Sequence, residues 1–395
     1  MLERVKIKMQ EATNRLSARL SGNYYPDSIL AVELTNFCNC NCVMCTQSMN
    51  AAYGQRKGFM PQATVRKILE SVSERNVRIG KLLPFGLGES LLHPAFLEIL
   101  KEILQFNQGR KHFESIDLHT NAILLDDKII EVMLNSPATI DTLSFSLDAA
   151  SDETYGKIRR NRQLNNATEN IRRFFRKRNE TGLKLPKAHL QFIVMEQNRH
   201  EARQFLEQWS DFFNELGIPF QVNYDWNPPM RIDTIFFKRL NPFKNSELAS
   251  AEALHRDVAK ELGLIPPEKH SETGRIIDSQ EYIEHERPAA RRPCSGPFKY
   301  QSIGWDGKLT VCCIDTGREL TIGNVVETPL FSLWEGDKNS SYRLWQIKGE
   351  FDKMPKCTIC HNLDSPQLSD DEITEFLKRK GHAELIPIFF ERIYG

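Results

Sequence analysis

The chain has 395 residues, enough to bury a full-size core as one large α/β domain or as two to three smaller ones. Lysine plus arginine equals aspartate plus glutamate, 52 against 52, so no global basic field exists to gather phosphate backbones, and nucleic acid is a disfavoured partner. No apolar run reaches the length of a membrane span, Met1 to Leu20 is charged and amphipathic, and most of the nine cysteines fall in tight groups that suit metal ligation better than disulfides, so a soluble cytoplasmic protein is expected.

Residues 1–28 read as an N-terminal helical extension. From 29 to 225 short β-rich runs alternate with amphipathic helical stretches, the pattern of stacked β-α units and a parallel sheet. The strands are expected at Ile29 to Leu34, Ile79 to Phe85, Ser115 to His119, Thr142 to Leu147, His189 to Met195 and Phe220 to Tyr224. Between them Val65, Ile68, Leu69 and Val72 recur at helical spacing, and Asn198 followed by Glu201 resembles a capping box ahead of Ala202, Phe205 and Trp209. Residues 226–293 lose the alternation and read as a proline-punctuated insertion without a sheet pattern. From 294 to 361 a hairpin is expected, Lys299 to Ile303 and Lys308 to Cys312 flanking Trp305-Asp306-Gly307, followed by a helix from Leu330 to Ile347. Residues 362–395 form a helical tail. The arginine-rich stretch Ile171 to Arg178 and the pair Arg291-Arg292 read as solvated faces.

The chemistry concentrates where strands end, as in β/α barrels. After the first strand, Cys38, Cys42 and Cys45 stand in a C-x3-C-x2-C frame. Three thiolates so spaced can hold three corners of a [4Fe-4S] cluster and leave the fourth iron open. Cys40 falls outside the frame and reads as a bystander. Half of a zinc site is the bland alternative, although zinc favours a closed tetrahedron. After the second strand comes Gly86-Leu87-Gly88-Glu89-Ser90, and after the third His119-Thr120-Asn121-Ala122. On the fourth, period two puts Ser144, Ser146 and Asp148 on one face.

Taken together these motifs resemble the radical SAM enzymes. The resemblance implies a partial (β/α)6 TIM-like barrel, with S-adenosylmethionine at the open iron and its reductive cleavage to a 5′-deoxyadenosyl radical that abstracts a substrate hydrogen. It implies that Gly86, Gly88 and Glu89 meet the methionyl amine, that Asn121 belongs to the Thr-Asn-Gly turn of the family, and that Ser144, Ser146 and Asp148 line ribose and carboxylate. Arg159 resembles the arginine that follows that strand, and Met44 the residue packed against adenine. Leu87 and Ser90 depart from the Gly-Gly-Glu-Pro pattern of the family. An external electron donor such as flavodoxin or ferredoxin is implied as partner.

Cys294, Cys312, Cys357 and Cys360 form a second group, C-x17-C-x44-C-x2-C, with Gly307 five residues before Cys312. A structural zinc suits the ligand count equally, but C-x17-C is unlike paired zinc knuckles. The group resembles the twitch form of the SPASM domain, which implies one auxiliary [4Fe-4S] cluster. Cys313 is expected to point to the opposite face from Cys312.

A fully ligated auxiliary cluster suits electron transfer. The expected function is therefore two-electron oxidation of a small polyol or amino-sugar-like substrate, as the similarity to twitch-type aminocyclitol dehydrogenases implies; Asp225, at the end of the sixth strand, reads as the base or, equally, as a helix or loop cap. The alternative is a peptide or protein side-chain maturase. The short segment ahead of the first strand favours the small molecule, and a non-catalytic iron-sulfur or zinc carrier is disfavoured by the ordered strand-end motifs.

Overall fold

The computed structural model describes residues 13, 24–47, 56–136, 138, 140–224, 230–242, 245–265, 291–358, 360 and 367–395. Its strands are β1 (Tyr24–Val32), β2 (Arg78–Leu83), β3 (Phe113–Thr120), β4 (Thr142–Ser146), β5 (Lys187–Val194), β6 (Phe220–Asn223), β7 (Asp233–Arg239), β8 (Tyr300–Ile303), β9 (Lys308–Thr310) and β10 (Thr321–Asn324). They form one ten-stranded sheet in the order β10-β9-β8-β1-β2-β3-β4-β5-β7-β6. Neighbours from β8 to β6 are parallel, whereas β8-β9 and β9-β10 are antiparallel. This is the mixed α/β, largely parallel architecture of a TIM-like partial barrel.

The helices are α1 (Gln62–Glu74), α2 (Phe96–Phe106), α3 (Asp127–Asn135), α4 (Asp152–Arg159), α5 (Leu164–Glu180), α6 (Ala202–Glu215), α7 (Leu248–Glu261), α8 (Leu330–Glu335), α9 (Asp337–Lys348), α10 (Asp370–Arg379) and α11 (Leu385–Tyr394), with one-turn helices at Gly296–Lys299 and Pro355–Thr358. Val65, Ile68, Leu69 and Val72 of α1 are buried, as their spacing predicts. Phe145 of β4 packs edge-on against Phe174 and Phe175 of α5, and Phe192 of β5 lies against Phe205 of α6. Full burial of each such ring stabilises by roughly 1.5–3 kcal/mol. The register puts Lys81, Asp117, His119, Ser144, His189, Gln191 and Lys238 on one face of the sheet, with Glu33 in step one residue past β1. The register aligns His119, Ser144, His189 and Thr234 across β3, β4, β5 and β7.

Several expectations change. β1 starts at Tyr24, inside the stretch assigned to the extension, and its register shifts between Tyr25 and Ile29 around Pro26, which has no N–H to donate. The segment after Tyr224 does contribute to the sheet, because β7 inserts between β5 and β6. Its run Asp233–Phe237 is buried throughout, so the alternation that would have betrayed it is absent. Arg178 is not a solvated residue: 4% exposed, it pairs bidentately with Asp233 at 2.8 and 2.5 Å, and Asp233 also accepts the Ala188 N–H. Arg292 pairs with Asp370 at 2.5 Å, and Arg291 lies over the Phe351 ring.

Asn198 and Glu201 do not form a capping box. Asn198 donates to the carbonyls of Asp148 and Ile193, while Glu201 accepts from the backbone of Ala150 and Ser151. The expected helix at 330–347 is broken at Gly336, and the tail divides at Gly381, whose φ is +76°.

Candidate functional site

The cysteine loop leaves β1 and is gripped by its neighbours. Val43 N–H donates to the carbonyl of Ile158 and Asn41 N–H to that of Arg159, so the C-terminal end of α4 supports the loop. Glu89 N–H donates to the Phe37 carbonyl. Gly88 has to be glycine here, because a Cβ would lie 2.2 Å from the Thr35 oxygen and 2.5 Å from the Phe37 oxygen. Gly86 is likewise closed off by Glu33, whose Cβ would be 2.6 Å away. The glycine loop is thus pressed directly onto the backbone that carries the cysteines.

The thiols are grouped. Hydrogen bonding with the neighbouring Cys40 thiol, 8% exposed, lowers Cys38 and draws Cys42 down to about 6, with Arg159 adding to the effect on Cys42 against burial. The same bonds drive Cys40 far up, while burial raises Cys45. Cys40 therefore lies beside the three framed cysteines as a neutral thiol that favours the charged form of its neighbours. Backbone N–H groups point at sulfur, Cys40 N to Cys38 Sγ and Gln47 N to Cys45 Sγ, both at 3.4 Å, and Arg159 Nη1 reaches Cys42 Sγ at 3.4 Å. Donors aimed at sulfur suit thiolates that ligate an iron–sulfur cluster.

Arg159 forms a buried ion pair with Asp148. Asp148, 0% exposed with φ +62°, also accepts the Ile193 N–H at 2.7 Å. Burial pushes its carboxyl upward, against the pull of Arg159. Burial opposes the charge of Arg159, which Asp148 and Cys42 raise nevertheless. Asp148 is thus tied to Arg159 and the Ile193 N–H, beyond the end of β4 at Ser146, where the alternation that aligned it with Ser144 and Ser146 ends.

Glu89 is 4% exposed, and its carboxylate accepts from Thr120 Oγ1 at 2.9 Å, Asn121 N at 2.8 Å and Leu91 N at 3.2 Å. Burial raises its pKa while the Asn121 and Thr120 donors lower it. Asn121 donates on to Asn39 at 2.6 Å and to Cys40 Sγ at 3.7 Å. Ala122 occupies the place of the family glycine at φ +62°, the left-handed region such a turn uses. Glu89 and Asn121 therefore tie the strand-end loops and the cysteine loop together.

A cavity of about 880 Å³ opens above the inner face of the sheet. Its lining includes Met44, Cys45, Gly86 and Leu87 from the first half of the chain, Ile193 and Lys238, and Tyr300, Arg318, Cys312 and Cys313. A second cavity of about 440 Å³ adjoins it and shares Met44 and Leu240. Burial lowers Lys238 and holds His119 near 3, where its ring stacks on Phe85, another wall residue, at 4.2 Å.

The second cysteine group also gathers. The neighbouring Cys313 thiol and burial raise Cys312, Cys312 lowers Cys313, and burial pushes Cys357 up to about 12. Gly296 N–H donates to Cys294 Sγ at 3.3 Å, and Gln346 to Cys357 Sγ at 3.8 Å. Cys313 does not turn away from Cys312, because β9 ends at Thr310 and both thiols follow in a turn. Among the sequence-predicted residues, Asp225 lies outside the described residues. Sequence reasoning missed Glu33, Tyr300, Arg318 and Lys238. For Glu33 the signal was present, an acid in step with Ile29 and Ala31 at the carboxyl end of the first strand.

Residues 32–207 match the radical SAM superfamily, and residues 294–361 match the SPASM iron–sulfur cluster-binding domain. The chain thus carries a radical SAM domain and a C-terminal SPASM domain, which imply a [4Fe-4S] cluster, S-adenosylmethionine and auxiliary iron–sulfur chemistry. It is 23% identical over 359 residues to the tungsten-containing aldehyde ferredoxin oxidoreductase cofactor-modifying protein of Pyrococcus furiosus, covering 85% of this chain and 88% of that protein. In fold it is similar to Streptococcus suis SuiB bound to S-adenosylmethionine, with TM-score 0.53, 15% identity and coverage of 83% and 70% of the two chains. It is similar also to anSMEcpe with bound AdoMet, with TM-score 0.52, 13% identity and coverage of 93% and 97%. Among the described residues no helix is long and apolar enough to cross a membrane.

Proposed function

We propose that this radical SAM enzyme carries out a two-electron oxidation of a small polyol or amino-sugar-like alcohol, with the auxiliary cluster accepting an electron. The observation that carries the reading is the shared cavity: Cys45 of the first group and Cys312 and Cys313 of the second line the same 880 Å³ space. That volume falls within the range of small-molecule sites, about 300–1,000 Å³.

In this reading Cys38, Cys42 and Cys45 hold the first cluster, and Cys294, Cys312, Cys357 and Cys360 the auxiliary one, with Cys313 a competitor for the place of Cys312. When bound, the first cluster and S-adenosylmethionine supply a radical that takes a carbon-bound hydrogen. Met44, Gly86 and Gly88 orient that cofactor, and Ser144 and Ser146 face it from the barrel interior. Arg159 favours the thiolate form of Cys42, and the buried walls keep water from the reacting carbon. Asp225 is the proposed proton acceptor, and a flavodoxin or ferredoxin in a reducing cytoplasm the proposed electron donor.

Anaerobically reconstituted protein is expected to hold about eight irons, from two four-iron sets. Cys357→Ala is expected to cleave S-adenosylmethionine still while losing oxidation of substrates drawn from a polyol and aminocyclitol panel. A crosslinked or epimerised peptide product, with no alcohol in the panel oxidised, would move the enzyme to peptide maturation.

A further inference from the structure

Glu33 directly follows β1, five residues before Cys38, and is 3% exposed. Its two carboxylate oxygens serve different parts of the chain. Oε2 accepts the Leu87 N–H at 3.0 Å, in the glycine loop after β2. Oε1 accepts from Arg318 Nη2 at 3.1 Å and from the Trp305 N–H at 3.5 Å, both in the segment that carries β8, β9 and β10. Both sides are close-packed: a Cβ at Gly86 would lie 2.6 Å from Glu33 Cβ, and one at Gly304 would lie 2.5 Å from Arg318 Cζ. Arg318 adopts φ +57°, an uncommon region for a residue other than glycine, and its side chain is 14% exposed. Glu33 and Arg318 also line the cavity between the two cysteine groups, Arg318 six residues beyond Cys312.

We propose that Glu33 is a positioning residue that couples occupancy of the S-adenosylmethionine site at the Gly86–Glu89 loop to the segment carrying Cys312 and Cys313. The proposal rests on reading that loop as part of the cofactor site. One carboxylate shared between two donor sets in a dry setting transmits order: when a ligand fixes the glycine loop, Oε2 is fixed, and Oε1 then holds Arg318 more tightly. The coupling is reciprocal, so loosening Arg318 weakens cofactor binding.

The test is hydrogen exchange by mass spectrometry on the anaerobically reconstituted holoenzyme, with and without S-adenosylmethionine, together with its binding affinity. In the wild type, S-adenosylmethionine is expected to slow exchange in residues 85–92 and also in 316–324. In Arg318→Gln, protection of 85–92 should persist, the response of 316–324 should vanish, and binding should weaken about 5-fold or more. If Arg318→Gln fails to retain iron, Arg318→Lys, which keeps the charge but loses the guanidinium geometry, should show a reduced response at 316–324. Equal responses and equal affinity in wild type and variant would overturn the coupling. Protection of 85–92 without any change at 316–324 in the wild type would overturn it too. Absence of protection at 85–92 would instead overturn the cofactor-site reading.

Discussion

Arg159→Met is the perturbation with the largest consequence that the structure defines. Arg159 and Asp148 are 9% and 0% exposed at their side chains, and the guanidinium also reaches Cys42 Sγ at 3.4 Å. Without it, Asp148 keeps the Ile193 N–H at 2.7 Å and loses its charge partner in a place closed to water. Removing one side of a buried pair leaves an uncompensated charge and costs about 3–5 kcal/mol. Asp148→Asn in the same background removes that charge, so the double variant should be more stable than Arg159→Met by about 1 kcal/mol or more. Urea denaturation of wild type, both single variants and the double variant measures this, and a ferrous chelator assay follows iron loading. Loading should slow in Arg159→Met, because Cys42, held at about 6 in part by Arg159, moves back toward the thiol form. A loss under about 1 kcal/mol in Arg159→Met, or a double variant as unstable as the sum of the singles, would refute the reasoning.

Gly88→Ala should push the Thr35 and Phe37 carbonyls out of place, since the new Cβ would meet them at 2.2 and 2.5 Å. Iron content is expected to fall to that of the auxiliary site alone with unchanged circular dichroism, and full iron loading would contradict the close-packing argument. Burial holds His119 and His189 neutral, with pKa values near 3 and 4 against an ordinary 6.5. The unfolded chain binds these protons first, so stability is complete above pH 6.5 and falls below it toward pH 3–4, by at most about 1.4 kcal/mol per pH unit for each partly buried ring. His119→Gln should flatten that acid limb in denaturant titrations between pH 6.5 and 4, and an unchanged slope would show that the ring is not held neutral.

Much of the barrel was legible because its signals are local. Period-two runs bounded by breakers located β1 to β6, and the C-x3-C-x2-C frame with glycines and polar residues at successive strand ends gave the chemistry. β7 was illegible because a strand buried on both faces carries no alternation, and its anchor, the Arg178–Asp233 pair, joins residues far apart in sequence. Roles were harder still. That Asp148 and Arg159 pair with each other was not legible from their strand-end motifs, because a buried charge is satisfied by whatever partner tertiary packing brings within reach.

The sequence by itself determined which residues could bear chemistry: thiols, acids and glycines at spacings that follow from strand and loop geometry. Only the tertiary structure decided that Cys313 lines the cavity beside Cys312, that Glu33 meets Arg318, and that cysteines of both groups line one cavity. These depend on β8 pairing with β1, a contact across more than half the chain. Such pairings are selected by the packing of the whole core, which no local window of sequence contains.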